Sequence, residues 1–312
     1  MSHKLRVGVV GVGFLGQHHA RLLAGMDNVS LAGVVDIDQS RATEIAARYR
    51  TRAFTEASTL LPEVDAVTIA TPTVTHIDIA MPFVDAGVAV LIEKPLASGV
   101  GDADRLLDAA ARRGTLVATG HTERFNPAVA AALPLITSPR FVEIHRLGAF
   151  PERSLDIDVI FDLMIHDLDL LLAVDGSGVE SIEATGVNVL TPRVDIANAR
   201  LRFASGCVAN VTASRISRER VRKARFFSRE SYVSIDYAAQ EVEVYRLVAQ
   251  NGGRPAIQGG RLEVANREPL LGELEDFVDA VRSKRPARVS GRDGRAALAL
   301  ATRVADIISS QP

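Results

Sequence analysis

The sequence predicts an α/β domain with a doubly wound parallel sheet, followed by an α+β domain whose open sheet is mainly antiparallel. In the first 120 residues, short β-rich runs alternate strictly with helical stretches, which is typical of repeated βαβ units. After about residue 122, strand-like runs follow one another across short turns, which indicates an antiparallel sheet. We expect domains at 1–121 and 122–312, with the last helix, about 293–309, a candidate for packing back on the first domain.

The first domain shows five strand-like runs with four helical stretches between them. The strands are LRVGVV (5–10), VSLAGVVD (29–36), VDAVTIA (64–70), GVAVLIE (87–93) and GTLVATG (114–120). The helices are FLGQHHARLLAGM (14–26), QSRATEIAARY (39–49), THIDIAMPFVDAG (75–87) and GDADRLLDAAARRG (101–114). Most of the strand runs are rich in valine and isoleucine, as expected for strands that are covered on both faces.

The second domain is predicted to contain one helix and then a series of strands. The helix covers 161–174. The strand-like runs are SIEATGVNVLT (181–191), DIANARLRFAS (195–205), GCVANVTASRIS (206–217), VRKARFFS (221–228), SYVSIDY (231–237) and EVEVYRLVAQ (241–250). The segment 251–260 is predicted to be a loop or an edge strand, and amphipathic helices at about 270–283 and 293–309 end the chain.

Composition excludes several classes of protein. The chain has 312 residues and contains no run of 18 apolar residues, so no membrane span is expected. The N-terminal segment lacks the features of a signal peptide, and Cys207 is the only cysteine, so we expect a cytoplasmic protein without a disulfide. A net charge of −2, with no aromatic platform beside the basic residues, argues against a nucleic-acid partner.

A glycine motif between the first strand and the first helix predicts a dinucleotide site. Gly11, Gly13 and Gly16 form G-x-G-x-x-G, which provides a tight turn, close backbone approach to a pyrophosphate and close packing of helix on strand. The helix N-terminus supplies N–H groups and a positive dipole for the anion. Phe14 and Leu15, inside the motif, are further cofactor-binding candidates.

The acidic residue that ends the second strand predicts which cofactor binds. Asp36 follows the last glycine by about 20 residues, where a carboxylate accepts hydrogen bonds from a ribose 2′-hydroxyl and repels a 2′-phosphate. NAD is therefore expected rather than NADP, although Arg41 lies nearby and leaves acceptance of NADP open. Later strand ends should line the nicotinamide crevice. The cofactor-binding candidates there are Thr71, Pro72, Thr73, His76, Glu93 and Lys94.

An acid–imidazole–acid stripe interrupts the apolar helix FDLMIHDLDLLLA (161–173). Asp162, His166 and Asp169 fall within about 60° of one another on an ideal helix, whereas Asp167 points elsewhere. A buried imidazole with an acidic partner suits a general base. From these residues alone, a structural pair and a catalytic pair are equally good interpretations.

Four motifs together resemble a known family over essentially the whole chain: G-x-G-x-x-G, "EKP" (93–95), "GH" (120–121) and the D-x-x-x-H helix. The family is that of glucose–fructose oxidoreductase and inositol dehydrogenase (Gfo/Idh/MocA). The resemblance implies an N-terminal Rossmann domain and a C-terminal open sheet that forms homodimers or homotetramers. It also implies that Lys94, Asp162 and His166 are catalytic and that Lys94 and His166 contact the substrate. Many members carry glycine where this chain has Met164.

Several basic and polar residues are candidates for binding the substrate. Arg124 and Asn126 follow the "GH" segment, and Arg146 lies on a predicted strand. Arg215 opens a basic run, 213–229, that is interpreted either as an anion site or as a solvated strand pair. No metal site is predicted, because the adjacent His18 and His19 cannot converge on one ion.

The second half of the chain is similar to a bacterial branch of the family that includes UDP-N-acetylglucosamine 3-dehydrogenases. That resemblance implies NAD-dependent oxidation of a sugar 3-hydroxyl, in a route to 3-amino sugars for lipid A. A dehydrogenase of a free sugar or polyol such as inositol is the alternative. A non-catalytic NAD-binding regulatory protein is a third possibility, but it should have lost the lysine or the histidine, and this chain keeps both Lys94 and His166.

Overall fold

The protein is described here by a computed structural model covering residues 4–150, 157–249 and 255–311, which divides into two compact units. The first unit comprises residues 1–122 and 270–298, and the second comprises 123–269 and 299–312. The change of unit after residue 122 lies one residue from the boundary expected from the sequence. The second unit differs from the expected continuous range, because residues 270–298 cluster with the first unit.

The described residues form fourteen strands and eight α-helices. The strands are β1 Leu5–Val10, β2 Val29–Val35, β3 Ala53–Phe54, β4 Ala66–Ile69, β5 Ala89–Glu93, β6 Val117–Gly120, β7 Phe141–Leu147, β8 Val179–Val187, β9 Ile196–Phe203, β10 Val208–Ser214, β11 Val221–Phe227, β12 Ser231–Asp236, β13 Glu241–Val248 and β14 Ala256–Leu262. The helices are α1 Gly16–Ala24, α2 Gln39–Tyr49, α3 His76–Asp85, α4 Val100–Arg113, α5 Pro127–Ala132, α6 Ile165–Val174, α7 Pro269–Ser283 and α8 Gly291–Ser309.

The first unit is a parallel sheet with strand order β3-β2-β1-β4-β5-β6. The order reverses between β1 and β4, and a ligand crevice is expected at the carboxyl ends of the strands around such a point. The helix α7 joins this unit because Leu274, Phe277 and Val278 are buried in the same apolar cluster as Val7 and Leu23. Residues 291–298, about the first two turns of α8, belong to this unit too, and Ser290 just before them forms an antiparallel bridge with Ala118 of β6.

The second unit contains an eight-stranded sheet with strand order β14-β13-β12-β11-β7-β10-β9-β8. The central pair β7–β10 is parallel and every other neighbouring pair is antiparallel, so the sheet is mainly antiparallel as predicted. Burial alternates along β7 and β9, which shows that one face of the sheet is covered. The segment predicted as a loop or edge contributes the edge strand β14, and residues 251–254 of that prediction lie outside the described residues.

The helix predicted at 161–174 begins differently from the expectation. Residues Ile160–Met164 form a π-helical turn, and regular α-helix continues from Ile165. Asp162 therefore lies in the π-helical turn, a feature that is frequent at functional sites. Met164 is fully buried and packs in the core.

A row of aromatic side chains crosses the open face of the eight-stranded sheet. Phe141, Phe227, Tyr232 and Tyr245 are cross-strand neighbours on β7, β11, β12 and β13, with consecutive ring centroids 5.7, 5.0 and 6.2 Å apart. None of these four side chains is fully buried.

Within the part of the chain that the structure describes, no helix is both long and apolar enough to cross a lipid bilayer.

Candidate functional site

The glycine turn between β1 and α1 has the geometry that a pyrophosphate requires. Gly11 has φ +82°, and a Cβ there would lie 2.6 Å from the Ala70 carbonyl oxygen. A Cβ on Gly16 would lie 1.7 Å from the Gly11 carbonyl oxygen, so the helix approaches the turn too closely for a side chain. A Cβ on Gly13 would meet nothing within 4 Å, which leaves open space against the backbone. No side chain caps the N-terminus of α1, so the residues present fit a dinucleotide anion.

The Asp36 carboxylate is held beside this turn. Its oxygens accept hydrogen bonds from the backbone N–H groups of Val12 and Asp38, each at 3.0 Å. The Arg41 guanidinium lies 3.4 Å from both oxygens. Ile37, in contrast, is 95% exposed. These bonds hold the carboxylate next to the glycine turn, as ribose recognition requires. They also place Arg41, from the first turn of α2, beside it.

His76 links the segments that follow β4 and β5. Its Nε2 lies 2.9 Å from the Thr71 carbonyl oxygen and its Nδ1 lies 3.0 Å from that of Pro95, and the side chain is only 1% exposed. Burial lowers the pKa of His76, although the hydrogen bonds to these carbonyls oppose the shift. The structure therefore gives this imidazole a role in holding two segments together, and its contact with the cofactor stays a prediction.

Glu93 is buried and bonded on both of its oxygens. His19 Nε2 lies 3.0 Å from Oε1, and the Lys94 backbone N–H donates to Oε2 at 3.3 Å. Burial opposes ionisation, but the hydrogen bond and charge of His19, together with the charge of Lys94, hold the pKa of Glu93 below its usual value. The carboxylate therefore orients the backbone from which the half-buried Lys94 side chain extends.

A second buried acid, Glu273 on α7, was not found from the sequence. It is 2% exposed, and neither carboxyl oxygen makes a hydrogen bond of good geometry within the described residues. Burial first, and the nearby charge of Glu93 second, raise the pKa of Glu273 well above its usual range. An unpaired carboxylate is costly in such surroundings, so the neutral acid is favoured. Only its place in an apolar stripe of α7 could have indicated its burial.

Replacing Glu273 with glutamine is expected to stabilise the protein at neutral and alkaline pH. Because the folded-state pKa is raised, the stability contributed by the acid is complete below its unfolded pKa, about 4.3, and is lost as pH rises towards the folded value. The loss is at most about 1.4 kcal/mol per pH unit, and glutamine does not titrate. Denaturant unfolding from pH 4 to pH 8 should show a widening advantage for Glu273→Gln. The exposed Asp279→Asn on the same helix is the control, and equal behaviour of the two variants would contradict the prediction.

In the second unit, the acidic residues of α6 have different partners, and Asp162 lies in the π-helical turn before them. Asp162 and His166 are half-buried. Asp169 forms an ion pair with Arg124, with 3.5 Å between Oδ2 and Nη1. Asp167 is fully buried and accepts two hydrogen bonds from Arg146, at 2.8 and 2.7 Å. Asp167 and Asp169 thus bind different arginines, Arg146 and Arg124.

Three residues predicted to bind the substrate are engaged by the protein itself. Arg146 is 3% exposed and also donates to Glu123 at 3.0 Å. Asn126 is 2% exposed and caps α5 by accepting from the Ala128 N–H. Arg215 is 1% exposed, and its Nε donates to Asp195 at 2.8 Å. Their burial and these bonds give all three residues structural roles, and direct contact with the substrate stays a prediction.

The Asp195–Arg215 pair organises the segment that leads into the π-helical turn. Asp195 Oδ2 accepts hydrogen bonds from three successive backbone N–H groups, 189–191, at 2.9, 2.7 and 2.9 Å. Arg215 Nη1 donates to the Ile157 carbonyl at 2.8 Å. Burial disfavours the charged acid, yet these N–H groups and Arg215 hold the pKa of Asp195 well below its usual range. The pair therefore anchors the chain five residues before Asp162.

Comparison with known proteins gives consistent matches along the chain. An oxidoreductase-family model, NAD-binding Rossmann fold, matches residues 5–121, and a GFO/IDH/MocA C-terminal domain model matches residues 139–232. A UDP-N-acetylglucosamine 3-dehydrogenase from Acidithiobacillus ferrooxidans is 42% identical over 302 residues, covering 96% of each chain. A myo-inositol 2-dehydrogenase from Thermotoga maritima is 27% identical, covering 95% of this chain and 94% of the relative.

Solved structures give the same result for the fold. The structure of the Acidithiobacillus ferrooxidans 3-dehydrogenase has a TM-score of 0.92 to this chain, at 40% identity and with 99% of each chain covered. Levoglucosan dehydrogenase in complex with NADH and levoglucosan has a TM-score of 0.89 at 19% identity, covering 98% of each chain. The second likeness is one of fold alone.

Proposed function

This chain belongs to the Gfo/Idh/MocA family of NAD-dependent dehydrogenases acting on CH–OH groups, and on that premise we propose that it oxidises UDP-N-acetylglucosamine to the 3-keto sugar. The observation that carries the proposal is 42% identity to a UDP-N-acetylglucosamine 3-dehydrogenase over 96% of both chains. The glycine turn, "EKP" and D-x-x-x-H are all present, which argues against a protein that only senses the nucleotide.

The catalytic roles follow from what each side chain can do. His166 takes the proton of the reacting hydroxyl, and Asp162 stabilises the imidazolium that results. Lys94 polarises the hydroxyl oxygen, and Glu93 orients its backbone through the N–H contact at 3.3 Å. A bound NAD would supply the acceptor for the hydride of the sugar carbon. Gly11, Gly13, Gly16 and the N-terminus of α1 would hold its pyrophosphate, with Asp36 on the ribose.

We propose NAD rather than NADP as the working cofactor, and Asp36→Ser is expected to shift this preference. The substitution removes the carboxylate that repels a 2′-phosphate and leaves Arg41, which lies 3.4 Å from Asp36 and 3.5 Å from Asp38, with only one carboxylate partner, so that it can turn to a phosphate. KM for NADP should fall about tenfold or more, and KM for NAD should rise by a similar factor. Asp38→Ser, in the same loop, is the matched control, because serine keeps the helix cap. An unchanged ratio of the two KM values in Asp36→Ser would contradict the role of Asp36.

NADH formation with a panel of sugars tests the proposed substrate class. Purified protein and NAD would be combined with UDP-N-acetylglucosamine, free N-acetylglucosamine or myo-inositol, with a carbonyl trap to draw off the ketone. We expect absorbance at the NADH wavelength only with the nucleotide sugar. Activity with myo-inositol or the free sugar alone would replace this proposal with the polyol or sugar dehydrogenase. Absence of turnover with all three would favour the regulatory alternative.

We also propose that the aromatic row Phe141, Phe227, Tyr232 and Tyr245 joins copies of the chain into a homodimer or homotetramer. Aromatic side chains that are only half covered are enriched at such interfaces. Light scattering should give two or four times the chain mass of 33.4 kDa, and Tyr245→Asp should lower it. A monomeric wild type would contradict the interface.

The proposed function also includes a cytoplasmic location and the use of the 3-keto sugar by an aminotransferase, in a route to lipid A.

A further inference from the structure

Arg222 lies near the start of β11, on the same face of the second sheet as the buried Arg146, and its own side chain is exposed. It is paired across the strands with Arg146. Ala224 and Phe226, which follow it at alternate positions of β11, are both buried, so Arg222 points to the same face as they do. Arg146 on this face is bonded to Asp167, the residue after His166. Arg222 is thus two side chains away from α6 within one unit.

The positive charge of Arg222 is not neutralised by the protein. Glu123 and Asp167, the two acids of this cluster, both bind Arg146. Within the described residues, the Arg222 side chain makes no hydrogen bond and no ion pair. Burial and the charge of Arg146 lower the pKa of Arg222, although Glu123 and Asp167 act in the opposite direction. Two arginines directly opposite each other on neighbouring strands are destabilising, and a bound anion would remove that repulsion.

Tyr237 adds a hydrogen-bond donor beside Arg222. Its backbone N–H donates to the Arg222 carbonyl at 2.9 Å, so the two residues are cross-strand neighbours. The ring lies beneath Arg146, with 5.2 Å between guanidinium carbon and ring centroid, and the residue is 4% exposed. The hydroxyl has no hydrogen-bond partner in the described part of the chain. Burial and the charge of Asp167 raise the pKa of Tyr237 well above its usual value, so the hydroxyl remains a donor.

The basic run predicted from the sequence separates into paired and unpaired members. Lys223 and Arg225 form ion pairs on the open face, with Asp236 at 3.2 Å and Glu143 at 2.9 Å. Arg218 and Arg220, in the turn before β11, are exposed and make no ion pair with any described residue. Glu219 is the one acidic residue of that turn. The unpaired cations therefore concentrate at the end of β11 where Arg222 lies.

We propose that Arg222, supported by Arg220 and Tyr237, binds the diphosphate of the nucleotide sugar. The inference rests on the proposed function and names the group that separates a nucleotide sugar from a free sugar. A guanidinium binds phosphate oxygens in a bidentate manner, and here its charge lacks another partner. Arg222 is the cross-strand neighbour of Arg146, and Arg146 binds Asp167, which is adjacent to His166 in sequence, so the subsite belongs to the unit that carries the proposed base.

Arg222→Gln tests the subsite, with Arg229→Gln as the matched control. Arg229 is an exposed, unpaired arginine of the same run at the opposite end of β11. Calorimetry with UDP and with inorganic pyrophosphate, without NAD, should show wild-type binding that Arg222→Gln weakens about 10- to 100-fold. KM for UDP-N-acetylglucosamine should rise by a similar factor while KM for NAD is unchanged. Thermal unfolding should show no loss of stability, because the substitution removes a like-charge neighbour of Arg146.

Two results would overturn the subsite. One is that Arg222→Gln and Arg229→Gln weaken the binding of UDP and pyrophosphate equally and in a salt-sensitive way. That result would indicate only a general attraction of anions. The other is binding of UDP or pyrophosphate that does not change in Arg222→Gln, or is absent in the wild type. Failure of the proposed function has a different signature, namely NADH formation with a free sugar or with none. Calorimetry reports on the subsite in either case, since it does not depend on turnover.

Discussion

Replacing His166 with alanine is expected to lower kcat for oxidation of UDP-N-acetylglucosamine by about 10²- to 10⁴-fold, the usual contribution of a positioned general base. The proton of the reacting hydroxyl then has no imidazole to accept it, whereas the glycine turn and Asp36 are untouched. Binding of NAD, measured by fluorescence or calorimetry, should therefore be unchanged. The loss should be greatest near neutral pH, because an unassisted reaction gains from hydroxide at higher pH.

His145→Ala is the matched control for this experiment. His145 belongs to the same unit, lies on β7 and has a side chain that is 40% exposed, near Glu143 rather than α6. Removing it takes away an imidazole without touching the proposed site. If His166→Ala turned over as fast as His145→Ala, the imidazole of His166 would not be the base. If His166→Ala also lost NAD binding, its role would be structural.

Replacing Asp195 with alanine is expected to reduce the free energy of unfolding by about 3–5 kcal/mol. The substitution leaves the Arg215 guanidinium buried without its carboxylate, and it leaves three backbone N–H groups at 189–191 without their acceptor. Urea unfolding monitored by circular dichroism measures the change. The effect should be large because both side chains of the pair are almost completely buried, at 0% and 1% exposed.

Asp236→Ala provides the comparison for that measurement. Its ion pair with Lys223 joins side chains that are 25% and 46% exposed, and such pairs contribute about 1 kcal/mol or less. Its Oδ1 also accepts hydrogen bonds from the N–H groups of Ala238 and Ala239, at 3.1 and 3.0 Å, in an exposed turn where water can replace them. Asp195→Ala should therefore unfold at a much lower urea concentration than Asp236→Ala. A loss of the same small size in both variants would show that Asp195 is not the anchor that its hydrogen bonds indicate.

Much of the first unit could be predicted from the sequence because its signals are local. The helix α2 was predicted at 39–49, and the structure has Gln39–Tyr49, because Asp38 caps its start through the N–H groups of Ser40 and Arg41. The glycine turn was also predicted, since each glycine responds to its immediate neighbours. The strand β3 was missed, because two residues are too few to show an alternating pattern.

The features that the sequence did not predict depend on contacts between distant segments. Arg215 stands in a basic run and was interpreted as a candidate for binding an anion, but its partner Asp195 lies 20 residues away. Glu273 is separated from Glu93 by most of the chain, so neither its burial nor its protonation can be read from nearby residues. The π-helical turn at Ile160–Met164 has no established sequence pattern, and an apolar run predicts only a helix.

The transfer of deuterium from carbon 3 of the sugar tests the central claim most directly. Protein would be incubated with NAD and UDP-N-acetylglucosamine labelled with deuterium at carbon 3, and in a parallel sample at carbon 4. We predict that the reduced cofactor gains one mass unit only from the carbon 3 label, with a slower rate than for unlabelled sugar. Reduced cofactor without deuterium from carbon 3, or no reduction of NAD by this sugar, would contradict the assignment of the protein as a UDP-N-acetylglucosamine 3-dehydrogenase.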